Sequence, residues 1–266
     1  MDFFRYKNIS REQFICEIDL SRLYQKDELK DFWNRYHEFF KADLFLAKVI
    51  KRKQDKLVYS HKSWIPKLSD RRPKVLFLFG NPAPHSVLAD IYFAYEGGGR
   101  EHRFWKVMRE LGIINLSSGG GNSDNLFKSN FLNLKYGSPF VVGMEVFFTF
   151  PSPASDPKWS GVMGLQRLFG KKAFDQLAGA ERQRVQKIIR QFIGQKGSII
   201  AFQKDAYNGL LEKNDRPYDL KRALQGKLFA NYANTILLAG VPPTRWMYTS
   251  RFKKALNRVT TLLLKE

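Results

Sequence analysis

The chain has 266 residues, enough for one large core or two modest ones. Forty-five Lys and Arg against twenty-five Asp and Glu leave a formal charge of +20, a field that favours polyanions. The single cysteine, Cys16, excludes an internal disulfide and any four-cysteine zinc or iron–sulfur centre.

No stretch approaches the ~18–20 uninterrupted apolar residues of a membrane span. The opening Met1–Phe14 lacks the basic-then-apolar pattern of a secretory signal, so an intracellular place, cytoplasmic or nuclear, is expected. Charge is uneven along the chain: residues 181–266 carry 17 basic and 6 acidic side chains. Nucleic acid is the expected partner, and no membrane is.

The first 73 residues read as a polar, helical N-terminal extension. Within Lys26–Asp43, Leu29, Phe32, Trp33, Tyr36, Phe39 and Phe40 recur at spacings of three and four, an amphipathic stripe. Arg71-Arg72-Pro73 breaks the pattern, and from residue 74 strands and helices alternate. Val75–Phe79, Glu145–Phe150, Ser198–Phe202 and Arg245–Thr249 read as strands. Glu101–Leu111, Gly161–Phe169, Gly179–Gly194, Asp205–Lys213 and Arg251–Leu264 read as helices. Such alternation implies parallel strands joined by right-handed crossovers, hence a three-layer α/β/α domain over 74–266. The loops Gly97-Gly98-Gly99 and Ser117–Gly121 fit neither a P-loop nor a dinucleotide fingerprint, so no nucleotide cofactor is expected.

Ligands of open parallel sheets bind beyond the carboxyl ends of the strands. Asn81, Thr149, Gln203 and Tyr248 all fall at such predicted ends. The first is the most distinctive: Val75–Phe79 stops at Gly80-Asn81-Pro82, and Phe93 stands twelve residues beyond Asn81. Arg103-Phe104-Trp105-Lys106-Val107 follows in a predicted helix. This layout resembles the uracil-DNA glycosylase superfamily, closest to its mismatch-specific and single-strand-selective branches. The resemblance implies a four-stranded parallel sheet in the order 2-1-3-4. It also implies a monomeric, monofunctional DNA glycosylase that works without metal or redox cofactor.

Role by role, the resemblance makes Asn81 the residue that positions the attacking water, through an amide oxygen that accepts without being a strong base. Phe93 stacks on the flipped base, with Ala83 beside it. Met144–Pro153 resembles the family's second strand, and Thr149 stands where an Asn reads the pyrimidine edge. Ser198–Leu211 resembles the third strand and its helix, with Gln203-Lys204-Asp205-Ala206 in place of Gly-Lys-x-Ala. Tyr248-Thr249-Ser250 stands where the family has His-Pro-Ser, so Tyr248 faces the base and Ser250 a backbone phosphate. Arg251 or Phe252 is then the wedge that fills the hole left by base extrusion, with Lys253 a further DNA contact. The missing histidine predicts slow excision or a changed substrate; His85, four residues past Asn81, is the alternative imidazole. Two other readings stay open: a non-catalytic nucleic-acid-binding protein on this scaffold, and a hydrolase of free nucleosides or nucleotides.

Overall fold

A computed structural model describes residues 3–9, 13–94, 100–116, 124–195 and 197–265; the glycine-rich loops at 97–99 and 117–121 lie outside the described residues. In chain order the elements begin with β1 (Phe4–Asn8), β2 (Gln13–Asp19), α1 (Lys26–Lys41), α2 (Leu46–Val49), β3 (Ile50–Lys53) and β4 (Lys56–Lys62). There follow β5 (Lys74–Phe79), α3 (Pro84–Ala89), α4 (Arg103–Glu110), α5 (Asp124–Leu132) and β6 (Val141–Val146). The remainder comprises α6 (Gly161–Phe169), α7 (Lys171–Phe192), β7 (Ser198–Ala201), α8 (Lys204–Asn208) and α9 (Leu220–Leu224). The last three are β8 (Leu228–Tyr232), β9 (Ile236–Gly240) and α10 (Ser250–Leu263). None of the described helices is long and apolar enough to cross a membrane.

The chain forms two compact units. The first is Met1–Ser63 with Asn81–Tyr92 and Phe148–Arg184; the second is Trp64–Gly80 with Phe93–Phe147 and Val185–Glu266.

In the first unit β1, β2, β4 and β3 form an antiparallel sheet in that order. The expectation of a purely helical extension over 1–73 is corrected here: four strands accompany the one long helix. The signal was a two-residue alternation, with Cys16 and Ile18 buried on β2 and Leu57, Tyr59 and His61 buried on β4. It was easily missed because β3, Ile50-Lys51-Arg52-Lys53, is almost all charge, as suits an edge strand. The helical stripe itself is found as expected: α1 buries Phe32, Tyr36 and Phe39 along one face. Its start is fixed by the Glu28 carboxylate, which accepts the Gln25 N–H at 2.9 Å.

Helix α6 occupies the expected span, and Gly164 on it has no room for a side chain. A Cβ there would lie 1.8 Å from the carbonyl oxygen of Trp159. We expect Gly164→Ala to lower stability by about 1–3 kcal/mol, read as an earlier urea midpoint with an unchanged slope.

In the second unit the sheet has five strands in the order β6-β5-β7-β9-β8. Three pairings are parallel and the β8–β9 pairing is antiparallel. The unit is thus mixed α/β with a mostly parallel sheet, one strand larger than expected. Val75–Phe79 is buried on both faces, as a strand inside a mostly parallel sheet is, while β6 and β7 pair its two edges. The strand expected at Glu145–Phe150 lies earlier, at Val141–Val146. The one expected at Arg245–Thr249 is absent: Thr244–Trp246 is a single 3-10 turn after Pro242-Pro243, and the strand is Ile236–Gly240. Helix α7 starts at Lys171, well before the expected Gly179, which it carries in its interior. Helix α8 stops at Asn208, where Gly209 caps it, short of the expected Lys213.

Strand β5 has β6 on one side and β7 on the other, so the strand order reverses between β5 and β7. In such sheets the crevice for a ligand opens beyond the carboxyl ends at that reversal.

Candidate functional site

In the first unit, Asn81 follows the end of β5 in the chain and is half-buried. Its Nδ2 donates to Ser152 Oγ at 2.8 Å and, more weakly, to the carbonyl oxygens of Phe150 and Pro82, each at 3.4 Å. The nitrogen end of the amide is therefore fully committed. A planar amide whose nitrogen is fixed directs its Oδ1 acceptor the opposite way. The Pro82 carbonyl in turn accepts the Ser152 N–H at 3.2 Å, closing the Asn81–Pro82 turn against Ser152. Ser152 is the residue that sequence reasoning missed; Pro151-Ser152-Pro153 gives a rigid backbone but no spacing that names its partner. Ala83 caps α3 through its carbonyl, which accepts from Ser86 and Val87, and is half-buried. His85 is half-buried too, and burial pushes its imidazole below the usual range against the opposing pull of Asp43.

Thr149 is fully buried and its polar groups are already engaged. Its N–H and its Oγ1–H both donate to Glu181 Oε1, at 2.7 and 2.5 Å. With that single hydroxyl proton spent, the 2.9 Å contact to Tyr59 must have Tyr59 donating to Thr149 Oγ1. Arg184 Nε donates to the other Glu181 oxygen at 2.6 Å, and its guanidinium lies over the Tyr6 ring. Thr149 thus belongs to a buried network that includes an ion pair. It ends no strand, since β6 stops three residues earlier.

In the second unit, Phe93 sits among rings that close the carboxyl ends of β5 and β7. Its ring stacks on Phe104 at 4.1 Å and meets the edge of Phe79 at 5.0 Å, while Phe79 stacks on Phe202 at 4.8 Å. Phe93 remains half-buried. Its backbone is left-handed, with φ at +54°. That conformation costs a bulky L-residue about 1–2 kcal/mol, and such strain persists where surroundings hold the side chain in a required place. His102 lies 5.1 Å from the Phe93 ring and caps α4, its Nδ1 accepting the Phe104 N–H at 3.1 Å.

Beyond β7, Gln203 Nε2 donates to Asp205 at 3.1 Å, and among the described residues Gln203 Oε1 is buried without a donor. Burial is the main influence on the Asp205 carboxyl and holds it above its ordinary range, with Lys204 pulling the other way. Tyr248 is not at a strand end: it is 60% exposed, with the Arg103 guanidinium 5.5 Å from its ring centroid. Thr249 caps α10 by accepting the Phe252 N–H, leaving Ser250 and Arg251 exposed on its first turn. Phe252 is fully buried near Phe202 and fills the core, so the wedge expectation for it is corrected. Lys253 pairs with Glu110. The helix periodicity of Phe252, Ala255, Leu256 and Val259 carried that information in the sequence.

Chemically, the first unit presents an anchored amide with its acceptor directed away from its ties. The second presents a strained aromatic, an imidazole whose Nδ1 caps α4, and an exposed tyrosine with the half-buried Arg103 beside its ring. No family model matches this chain, and no curated protein matches it.

Proposed function

We propose that the chain is a uracil-DNA glycosylase-like hydrolase, acting on a damaged or mispaired base in DNA. The observation that carries this reading is the Asn81 amide, tied at nitrogen by Ser152 and Phe150 and left to accept at oxygen. A water held there has its oxygen turned toward an electrophile and its proton toward a weak acceptor, which suffices where the sugar carries oxocarbenium character. Phe93 serves as a ring surface for the base, and Tyr248, Ser250 and Arg251 form a basic, aromatic surface for the strand. The reading takes β8 as an addition to a three-layer α/β/α domain whose parallel strands stand second, first, third and fourth in chain order. Water and hydrogen-bond donors supply the chemistry, and the place of action is wherever the DNA is, cytoplasm or nucleus.

The test is incubation with labelled oligonucleotides carrying U, T, hypoxanthine or xanthine, single-stranded and mispaired, followed by alkaline cleavage. Strand breaks at the modified position support the reading; intact strands under all conditions reject it. Binding provides a second prediction. A +20 chain that contacts several phosphates releases counterions, so raising salt from ~50 to ~200 mM should weaken DNA binding by roughly 10²-fold or more. Fluorescence anisotropy measures this, and a flat salt dependence or a preference for mononucleotides points to a small-substrate hydrolase.

One observation favours a non-catalytic DNA-binding protein instead. Thr149 is sealed in the Glu181 network and is not offered to a base edge. Tight DNA binding without excision of any base in the same assay selects that reading.

A further inference from the structure

We infer that the open face of the antiparallel sheet in the first unit is a second DNA surface, which lies across a duplex groove and meets phosphates on both of its walls. This rests on the DNA partner of the reading above and not on base excision.

The sheet has two unlike faces. Successive side chains of a strand point to opposite sides, and residues paired across strands share one side. On one side Cys16, Ile18, Leu57 and Tyr59 are buried. On the other, Arg5 and Lys7 of β1 and Lys51 and Lys53 of β3 are exposed, and these are the two outer strands. Arg52 marks the division between them. It has the opposite parity, and its guanidinium covers the Trp33 ring of α1 at 3.6 Å.

Charge on the open face is unbalanced. Its carboxylates are Glu17 and Asp19 of β2, and Lys56 of β4 pairs with both, at 2.9 and 3.8 Å. Lys62 pairs with Asp90 at 2.7 Å. Among the described residues, Arg5, Lys7, Lys51 and Lys53 form no ion pair. Such a set of unpaired cations favours a polyanion.

Spacing selects the duplex. Arg5, Glu17, Val58 and Lys51 stand in one row across the four strands. Arg5 and Lys51 are thus three strand spacings apart, about 14 Å. The major groove of B-DNA is about 12 Å wide. Arg5 and Lys7 can therefore follow one phosphate strand while Lys51 and Lys53 follow the other, with Ile15, Val58 and Ser60 over the groove between them.

Charged outer strands also keep sheets from pairing with one another, a role that needs no DNA. The test therefore reads the salt dependence of binding. One variant combines Arg5→Gln, Lys7→Gln, Lys51→Gln and Lys53→Gln. A control combines Lys26→Gln, Lys30→Gln, Lys171→Gln and Lys172→Gln, which removes the same charge from other exposed positions of this unit. Thermal midpoints should match the wild type; should the fourfold sheet variant be unstable, the Arg5/Lys7 and Lys51/Lys53 double variants replace it. Each phosphate contact contributes roughly 0.9 to the slope of log K against log salt. Fluorescence anisotropy with a duplex should show the sheet variant losing about 3–4 of that slope, each double variant about half as much, and the control little. A single-stranded oligonucleotide has no groove to span, so there the sheet variant should lose at most about half of its duplex loss. Equal slopes for the sheet and control variants overturn the inference, because a diffuse field then accounts for binding. Equal losses on duplex and single strand overturn it as well. A sheet variant with the wild-type DNA slope that no longer binds phosphatidylserine vesicles assigns the face to a membrane and overturns it too. A wild type that binds no DNA removes this inference together with the DNA reading, whereas one that binds DNA and excises nothing removes the excision alone.

Discussion

Asn81→Ala should abolish measurable excision while leaving the fold and DNA affinity close to wild type. The alanine removes the Oδ1 acceptor, whose direction is set by the ties at Nδ2. Losing a group that places a reactant, or one preorganised polar contact, costs about 10²–10³-fold in rate. The stability loss should be small, about 1 kcal/mol, since the amide makes one good hydrogen bond at 2.8 Å and two long ones. The basic surface proposed to meet phosphates is unaltered by this change, so salt-dependent binding should stay the same. Single-turnover kinetics with circular dichroism as a control decide the matter. A variant that excises at the wild-type rate removes Asn81 from the chemistry.

Asn81→Asp sharpens the same point. A carboxylate accepts more strongly than an amide, but it cannot donate to the carbonyl oxygens of Phe150 and Pro82. Ser152 can turn its hydroxyl to donate, so one of the three ties survives. The variant should therefore be less stable than wild type while still excising bases. Full loss of activity with an intact fold assigns the Asn81 nitrogen, not its oxygen, the essential role.

What the sequence disclosed follows from which forces act locally. The run Val75–Phe79 and the turn after it were legible because a strand buried on both faces is apolar throughout and stops at helix and strand breakers. Helix α6 was legible to the residue, its apolar period bounded by Ser160 and Gly170. Strand β9 was not, since Ile236–Gly240 is too short to separate from a buried helix by pattern alone. The antiparallel sheet was hidden for a different reason: β1 and β3 expose most of their side chains, so only β2 and β4 carry a clean alternation.

The same division runs through the candidate site. Asn81 was found by its position at a strand end, a local property. Its anchor Ser152 is 71 positions away and the Thr149 partner Glu181 is 32 away, and no spacing rule reaches that far. Phe252 was misassigned because the loop motif was weighed above the helical period that buries it.

Glu181→Ala should be strongly destabilising, about 3–5 kcal/mol, because it removes the buried carboxylate that accepts from Arg184 Nε and from Thr149. Glu181 is completely buried, and its oxygens take the Thr149 N–H, the Thr149 hydroxyl and Arg184 Nε. The same burial, with Glu181 negative nearby, drives the Cys16 thiol and the Tyr59 hydroxyl well above their usual ranges, so both stay neutral. Glu181→Gln keeps the shape and one acceptor but loses the charge, so its cost should be smaller, about 1–3 kcal/mol. Replacing both partners, Glu181→Leu with Arg184→Leu, should recover much of the loss, because an apolar pair of similar volume avoids the desolvation of two ions. Urea denaturation of the four proteins reads these differences as midpoints. The network also bears on the chemistry, since Thr149 leads directly into Phe150 and Ser152, which hold the Asn81 amide. Glu181→Gln should therefore slow excision more than its modest stability loss accounts for, under conditions where the variant is fully folded. Equal stability of Glu181→Ala and wild type shows that the ion pair does not hold this core; a Glu181→Gln variant of wild-type rate shows that Asn81 is held without it.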